Sequence, residues 1–154
     1  MLNLVTDRTQ AHVNLLKKLN KKGWNNMTAS EQNAWYNEAA RGAYNYTDLN
    51  RVEIAVAEIS RLLGLNLATK TDWGLWDIPF KTDMDRYLGN VVAIRDACPG
   101  DSDFPTIPDS MSGLDYRGAN NIEKVLEIAY EYATTHSGVL GKGVLGTMVL
   151  GKEL

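Results

Sequence analysis

Thr47-Asp48-Leu49-Asn50-Arg51-Val52-Glu53-Ile54-Ala55-Val56-Ala57-Glu58-Ile59-Ser60-Arg61-Leu62-Leu63-Gly64 is the stretch on which the fold turns. Leu49, Val52, Val56, Ile59 and Leu63 step three and four residues apart, which places them on one face of an α-helix. Thr47-Asp48 offer a cap for its first turn, and Gly64 can close it. A helix with one apolar stripe draws most of its stability from packing, so other helices are needed against that stripe. The flanking sequence supplies them.

Upstream, Thr6 or Asp7 reads as an N-cap, with Gln10 three residues after Asp7 and with Val13, Leu16 and Leu19 at helical spacing. Lys17, Lys18, Lys21 and Lys22 precede Gly23, as expected of cations in a last turn followed by a glycine cap; the lysine run reads as a solvated helix end. A second capping box, Thr28-Ala29-Ser30-Glu31, opens a short helix through Trp35 towards Arg41, with Gly42 as its left-handed stop. Downstream, Leu65 to Phe80 has no sustained period, and Trp73-Gly74-Leu75-Trp76 before Ile78-Pro79 reads as an ordered loop pinned by large side chains. Thr82 and Asp85 restart a helix through Met84, Leu88 and Val91 that stops at Cys98-Pro99-Gly100. Pro105 and Pro108 mark Asp101 to Gly113 as a linker across the surface. A last helix is expected from about Asp115 to Thr135, with Ile122, Val125, Ala129 and Tyr132 inward and Glu123, Lys124, Glu127 and Glu131 outward.

Length and composition agree with this outline. The 154 residues suit one domain, and 44% hydrophobic with 23% charged residues are ordinary for a globular chain with a packed core. Lys plus Arg number 16 and Asp plus Glu 19, a net charge of −3, so no basic excess exists to neutralise a nucleic acid backbone. The start of the chain lacks a basic segment followed by an apolar one, which points to synthesis in the cytosol. The most apolar stretch, between Lys142 and Lys152, falls far short of the roughly 20 residues that span a bilayer. A single cysteine, Cys98, can form no internal disulfide.

Two helix starts share a pattern: Leu49-Asn50-Arg51-Val52-Glu53 and Ala119-Asn120-Asn121-Ile122-Glu123. The likeness reads equally as an internal repeat or as ordinary capping chemistry. The tail changes character, because Val139-Leu140-Gly141, Val144-Leu145-Gly146 and Val149-Leu150-Gly151 recur every five residues. Glycine at that density disfavours a helix, and an odd period would throw successive Val-Leu pairs onto opposite faces of a strand. The tail is therefore expected to be β-like and to need a partner surface, either the bundle, another copy or a neighbouring protein; a disordered tail is the plainer alternative.

Little catalytic chemistry is legible. Cys98 lacks a nearby base, and His12 and His136, the two histidines, read as surface residues rather than metal ligands. Asp101-Ser102-Asp103 begins like a calcium loop, but Pro105 and the lack of a closing Glu break the pattern. Gly141-Lys142-Gly143 is followed by neither Ser nor Thr, so it is no phosphate loop. Asp83, Asp85, Glu53 and Glu123 are each accounted for by helix capping and surface solvation. Among the aromatic residues, Trp73 and Trp76 form the best candidate exposed pair for a ligand surface such as a glycan. No cofactor is expected.

Several segments together resemble structural proteins of tailed phages and prophages of Gram-positive bacteria. They are Thr6-Asp7-Arg8-Thr9-Gln10, Gly23-Trp24 with Met27-Thr28-Ala29, and Gly42-Ala43-Tyr44-Asn45 leading into Thr47 to Glu53. Asp77-Ile78-Pro79, Met84-Asp85-Arg86-Tyr87-Leu88 and Asn120-Asn121-Ile122-Glu123 are similar to the same group, and the Val-Leu-Gly tail looks like short repeats that end some of its members. The resemblance implies a virion part at the tail, baseplate or neck, made in the host bacterial cytoplasm and working by assembly; it carries no catalytic residues.

The expected protein is thus mainly α, a bundle of four to five short helices over 1–136, with a glycine-punctuated β-like tail over 137–154. It is expected to be non-enzymatic and to self-associate or dock on another virion protein through Val139, Leu140, Val144, Leu145, Val149 and Leu150. A glycan-binding module using Trp73 and Trp76, or a small phage-encoded regulator of a host protein, are the alternatives.

Overall fold

The computed structural model describes residues 2–100 and 103–136 in full. It is mainly helical: α1 Gln10–Lys22, α2 Ala29–Asn37, α3 Tyr46–Leu63, α4 Lys81–Ala97 and α5 Tyr116–Glu153, with short 3-10 turns at Trp24–Asn26 and Ala39–Gly42. No strand occurs among the fully described residues. The β-like tail expected over 137–154 lies outside them. No helix of the described residues is long and apolar enough to cross a membrane.

The core lies between α3, α4 and α5. Val52, Val56 and Ile59 of α3 meet Tyr87, Val91 and Ile94 of α4 and Ile122, Val125, Leu126 and Ala129 of α5, all fully buried. Each such aliphatic side chain contributes about 1.5–3 kcal/mol by leaving water. The stripe read from α3 is the one that packs. Gly64 adopts the left-handed conformation, with φ of 68°, and Leu65 N–H bonds back to Ser60 O at 2.9 Å to finish the helix.

A smaller layer of α1, α2 and the 3-10 turns is built on Leu19, Met27 and Ala39, with Leu15, Leu16 and Trp35 around them. The Thr28–Glu31 capping box forms as expected: Glu31 N–H bonds to Thr28 Oγ1, and Thr28 N–H to Glu31 Oε2 at 2.9 Å. Five boundary expectations are corrected. α3 starts at Tyr46 behind Asn45, whose Oδ1 accepts from Thr47 N–H at 2.9 Å, so Thr47-Asp48 lie inside the helix and not at its cap. α4 starts at Lys81, ahead of Thr82, and its first-turn acceptor is Asp83, which takes the Phe80 N–H at 2.9 Å, not Asp85. α1 is capped by Thr9, not Thr6 or Asp7, because residues before Thr9 are drawn out straight by bonds to α5. α2 ends at Asn37, and the chain reaches Gly42 through a 3-10 turn. Gly42 is no left-handed stop; a Cβ there would lie 2.5 Å from His12 O, so glycine is needed for the close approach of the turn to α1.

That approach yields a prediction. Gly42→Ala should lower stability by about 2 kcal/mol, because backbone on both sides must move apart. Thermal unfolding followed by circular dichroism checks it, and an unchanged midpoint would place the approach elsewhere.

The segment 103–114 does run without helix, but it is anchored rather than loose. Ile107 is buried against the core, and Asn121 Nδ2 donates to Thr106 O at 2.8 Å.

Candidate functional site

Asn50 and Glu53, one turn apart on α3, face an extended segment of chain between α3 and α4. The Asn50 amide makes two bonds to the backbone of one residue: Trp73 N–H donates to Oδ1 at 2.7 Å, and Nδ2 donates to Trp73 O at 2.8 Å. Three residues earlier, Lys70 N–H donates to Glu53 Oε2 at 3.2 Å. On α5, Asn120 and Glu123 do the same to the chain before α1. Arg8 N–H donates to Asn120 Oδ1 at 3.0 Å, Asn120 Nδ2 donates to Arg8 O at 2.9 Å, and Val5 N–H donates to Glu123 Oε2 at 2.6 Å. The spacing is identical in both: Asn holds residue n at two points and Glu holds residue n−3. Such side chains satisfy backbone groups that a lone extended segment would otherwise leave unpaired.

Each Asn-x-x-Glu pair is therefore a clamp for an extended strap. The two helices pack against each other, yet each holds the strap that precedes the other half of the molecule: α5 holds residues 5–8 and α3 holds residues 70–73. Of the two readings left open by the sequence, the internal repeat is the one with a shared geometry. Thr6-Asp7 and Thr71-Asp72 occupy equivalent places in the straps, and Tyr46 and Tyr116 equivalent places at the helix starts. The signal in the sequence was the Tyr four residues before each Asn, with a Thr-Asp pair in each strap.

The clamps also gather charge. Glu123, 0% exposed, accepts Arg8 Nη2 at 2.7 Å and Arg51 Nη2 at 2.7 Å on one oxygen and Arg51 Nε at 2.9 Å on the other. Asp48 accepts Arg8 at 2.9 Å and Arg51 at 2.5 Å. Two guanidinium groups thus meet two carboxylates, and the cluster is neutral. Its hydrogen bonds to both carboxylates outweigh the loss of hydration and push the Arg51 pKa up. Glu53, 1% exposed, takes Arg86 through both oxygens at 2.6 and 3.0 Å. Glu53 and Glu123 were expected to be solvated. They are buried, because arginines from distant positions reach them.

Beside the cluster the hydroxyls of Tyr44 and Tyr87 hydrogen bond to each other, and burial raises both pKa values above the ordinary tyrosine range. A phenol held neutral in the fold favours the unfolded state once the free group ionises. Stability contributed here is complete below about pH 10 and falls as pH rises further. In alkaline titration, the phenolate absorbance of these two tyrosines should appear only with unfolding; its appearance while the helical signal persists would contradict the burial.

The remaining candidates fall as follows. Trp73 is 5% exposed, its backbone in the α3 clamp and its ring under Lys70 Nζ at 4.8 Å, whereas Trp76 is 89% exposed. The expected exposed pair is corrected to one exposed tryptophan. Leu75, Ile78 and Phe80 stand exposed around Trp76, in a loop fixed at its root by Gly74 N–H donating to Asp77 Oδ2 at 2.9 Å. This loop edges an open groove of about 1030 Å³, walled by Tyr44, Tyr46, Leu49, Met84 and Met111. Cys98 is buried, which pushes its thiol pKa up and makes it a poor nucleophile. His12 closes the cap of α1 by accepting from Thr9 N–H at 3.1 Å, and His136 stacks on Tyr132 with ring centroids 4.2 Å apart. Among the described residues no three His, Cys, Asp or Glu side chains converge as metal ligands. Asp101 and Ser102, and the six apolar residues from Val139 to Leu150, lie outside the fully described residues.

No protein family, curated protein or solved structure matches this chain.

Proposed function

We propose that the chain is a non-enzymatic structural subunit of a phage virion, a tail, baseplate or neck component that works by self-association or by docking on another virion protein. The observation that carries this reading is the loop from Leu75 to Phe80. Four large apolar side chains are held in water on a root stiffened by the α3 clamp, an arrangement whose hydration cost a partner surface relieves. The resemblance of the helix starts to tailed-phage structural proteins supports the same reading. In the buried ionisable clusters each carboxylate is paired with arginine. The tail residues Val139, Leu140, Val144, Leu145, Val149 and Leu150 are proposed as a second contact.

Residence in the virion is the direct test. An antibody against the chain should detect it in particles purified from its phage or induced prophage; particles that assemble and infect without it overturn the proposal. Trp76→Ala should change stability by no more than about 0.5 kcal/mol, because the ring packs on nothing. The same variant should lose docking on the partner. The 89% exposure of Trp76 also favours the glycan reading, which retains one ring as platform instead of two. Binding to purified cell walls that vanishes in Trp76→Ala would establish that alternative in its place.

A further inference from the structure

We infer that the open groove edged by Leu75 receives the Val-Leu-Gly tail of a second copy of this chain, so that copies join head to tail. The inference rests on the assembly reading above and deepens it by naming what the groove holds.

The groove lies at one end of α5. It opens between the start of α3, the start of α4 and residues 110–114, which lead into α5. Tyr46, Leu49, Met84, Met111 and Leu114 stand in its walls, and Leu75 at its edge is 65% exposed. At about 1030 Å³ it has room for several aliphatic side chains.

The tail begins at the other end. α5 starts at Tyr116, beside the groove, and from there to His136 it rises about 30 Å. Folding back into its own groove would therefore use up about nine fully extended residues. Those residues include the first two repeats, Val139-Leu140-Gly141 and Val144-Leu145-Gly146, and leave only Val149-Leu150 for the walls. A neighbour placed end to end meets the tail where it leaves the bundle, with all three repeats free to dock.

The two surfaces also match in chemistry. Three Val-Leu pairs face apolar walls, and the glycines between them let the backbone lie close. The lining carries Asp77 and Asp85 against Lys81, whereas residues 139–150 carry Lys142 and no acid, so the charges attract. A donor and an acceptor at opposite ends make a heterologous contact, which propagates into a ring or a filament instead of stopping at a pair.

The test uses full-length chains that each lack one half of the contact, examined by light scattering after size exclusion with the helical signal of each recorded. Val144→Asp combined with Leu145→Asp spoils the tail and leaves the groove. Leu75→Asp, at an exposed position, puts a charge into the groove and leaves the tail. Each alone should associate about tenfold more weakly than the wild-type chain. Mixed, they hold one good tail and one good groove between them and should form a one-to-one dimer that grows no further. Ile54→Asp adds the same charge at a half-exposed site on α3 outside the groove and should associate like the wild-type chain. The inference is overturned by a monomeric wild-type chain, by a mixture no more associated than its parts, or by equal loss in Ile54→Asp and Leu75→Asp. Undiminished association of Leu75→Asp overturns it too, by placing the tail on another surface, and there the assembly reading survives. Residence in the particle is read independently of all these outcomes.

Discussion

Glu123→Ala should cost about 4 kcal/mol, a large part of the roughly 5–15 kcal/mol that stabilises a domain. The carboxylate takes four donors, from Val5, Arg8 and twice from Arg51, with no exposure to water. Its removal leaves two guanidinium groups facing Asp48 alone and strands the Val5 N–H. Breaking a buried pair by deleting one partner costs far more than the pair contributes, because the survivor stays desolvated. Glu123→Gln keeps the shape and an acceptor for Val5 but not the charge, and a smaller loss of about 2–3 kcal/mol is expected. Urea denaturation with an unchanged slope measures both. A loss below about 1 kcal/mol for Glu123→Ala would mean that the cluster behaves like a surface ion pair.

Glu53→Ala should follow at about 3 kcal/mol. It too loses a backbone acceptor, for Lys70 N–H, and a two-point arginine pair. The difference lies in the survivor. The Arg86 side chain is 26% exposed and keeps a bond to Ala68 O at 2.9 Å, so its charge can reach water once Glu53 is gone. Arg8 keeps its bonds to Val5 O at 2.7 Å and to Asp48 at 2.9 Å, but with 2% of its side chain exposed it has no path to water. The account therefore predicts an order, Glu123 above Glu53, and the reverse order in the same denaturation series would place the central support of the fold in α3 and α4.

How much of this was legible follows from which forces act locally. The face of α3, the Thr28–Glu31 box and the Gly64 stop were readable because periodicity and capping involve residues within a few positions of each other. Thr6-Asp7 was misread as a cap because its local chemistry is cap-like, while bonds to residues more than a hundred positions away hold it extended. Glu53 and Glu123 looked solvated for the same reason: a carboxylate on a helix carries no mark of the arginine that will cover it. The two tryptophans of the loop differ through Asn50, which draws the Trp73 backbone onto α3 and leaves Trp76 outside. The Asn-x-x-Glu repeat was visible as letters. Its meaning, two clamps holding exchanged straps, needed both straps placed beside both helices.

The clamps also connect stability to the proposed role. The α3 clamp fixes the root of the exposed loop, so the loop surface proposed for assembly rests on a rigid support and would lose little entropy on docking.

Light scattering after size exclusion, comparing the full chain with one ending at Ser137 and with the helical signal of each recorded, tests the assembly account most directly. The account predicts an oligomer for the full chain and a folded monomer for the shortened one. Folded monomers for both, at every concentration reached, would contradict self-association through residues 139–150.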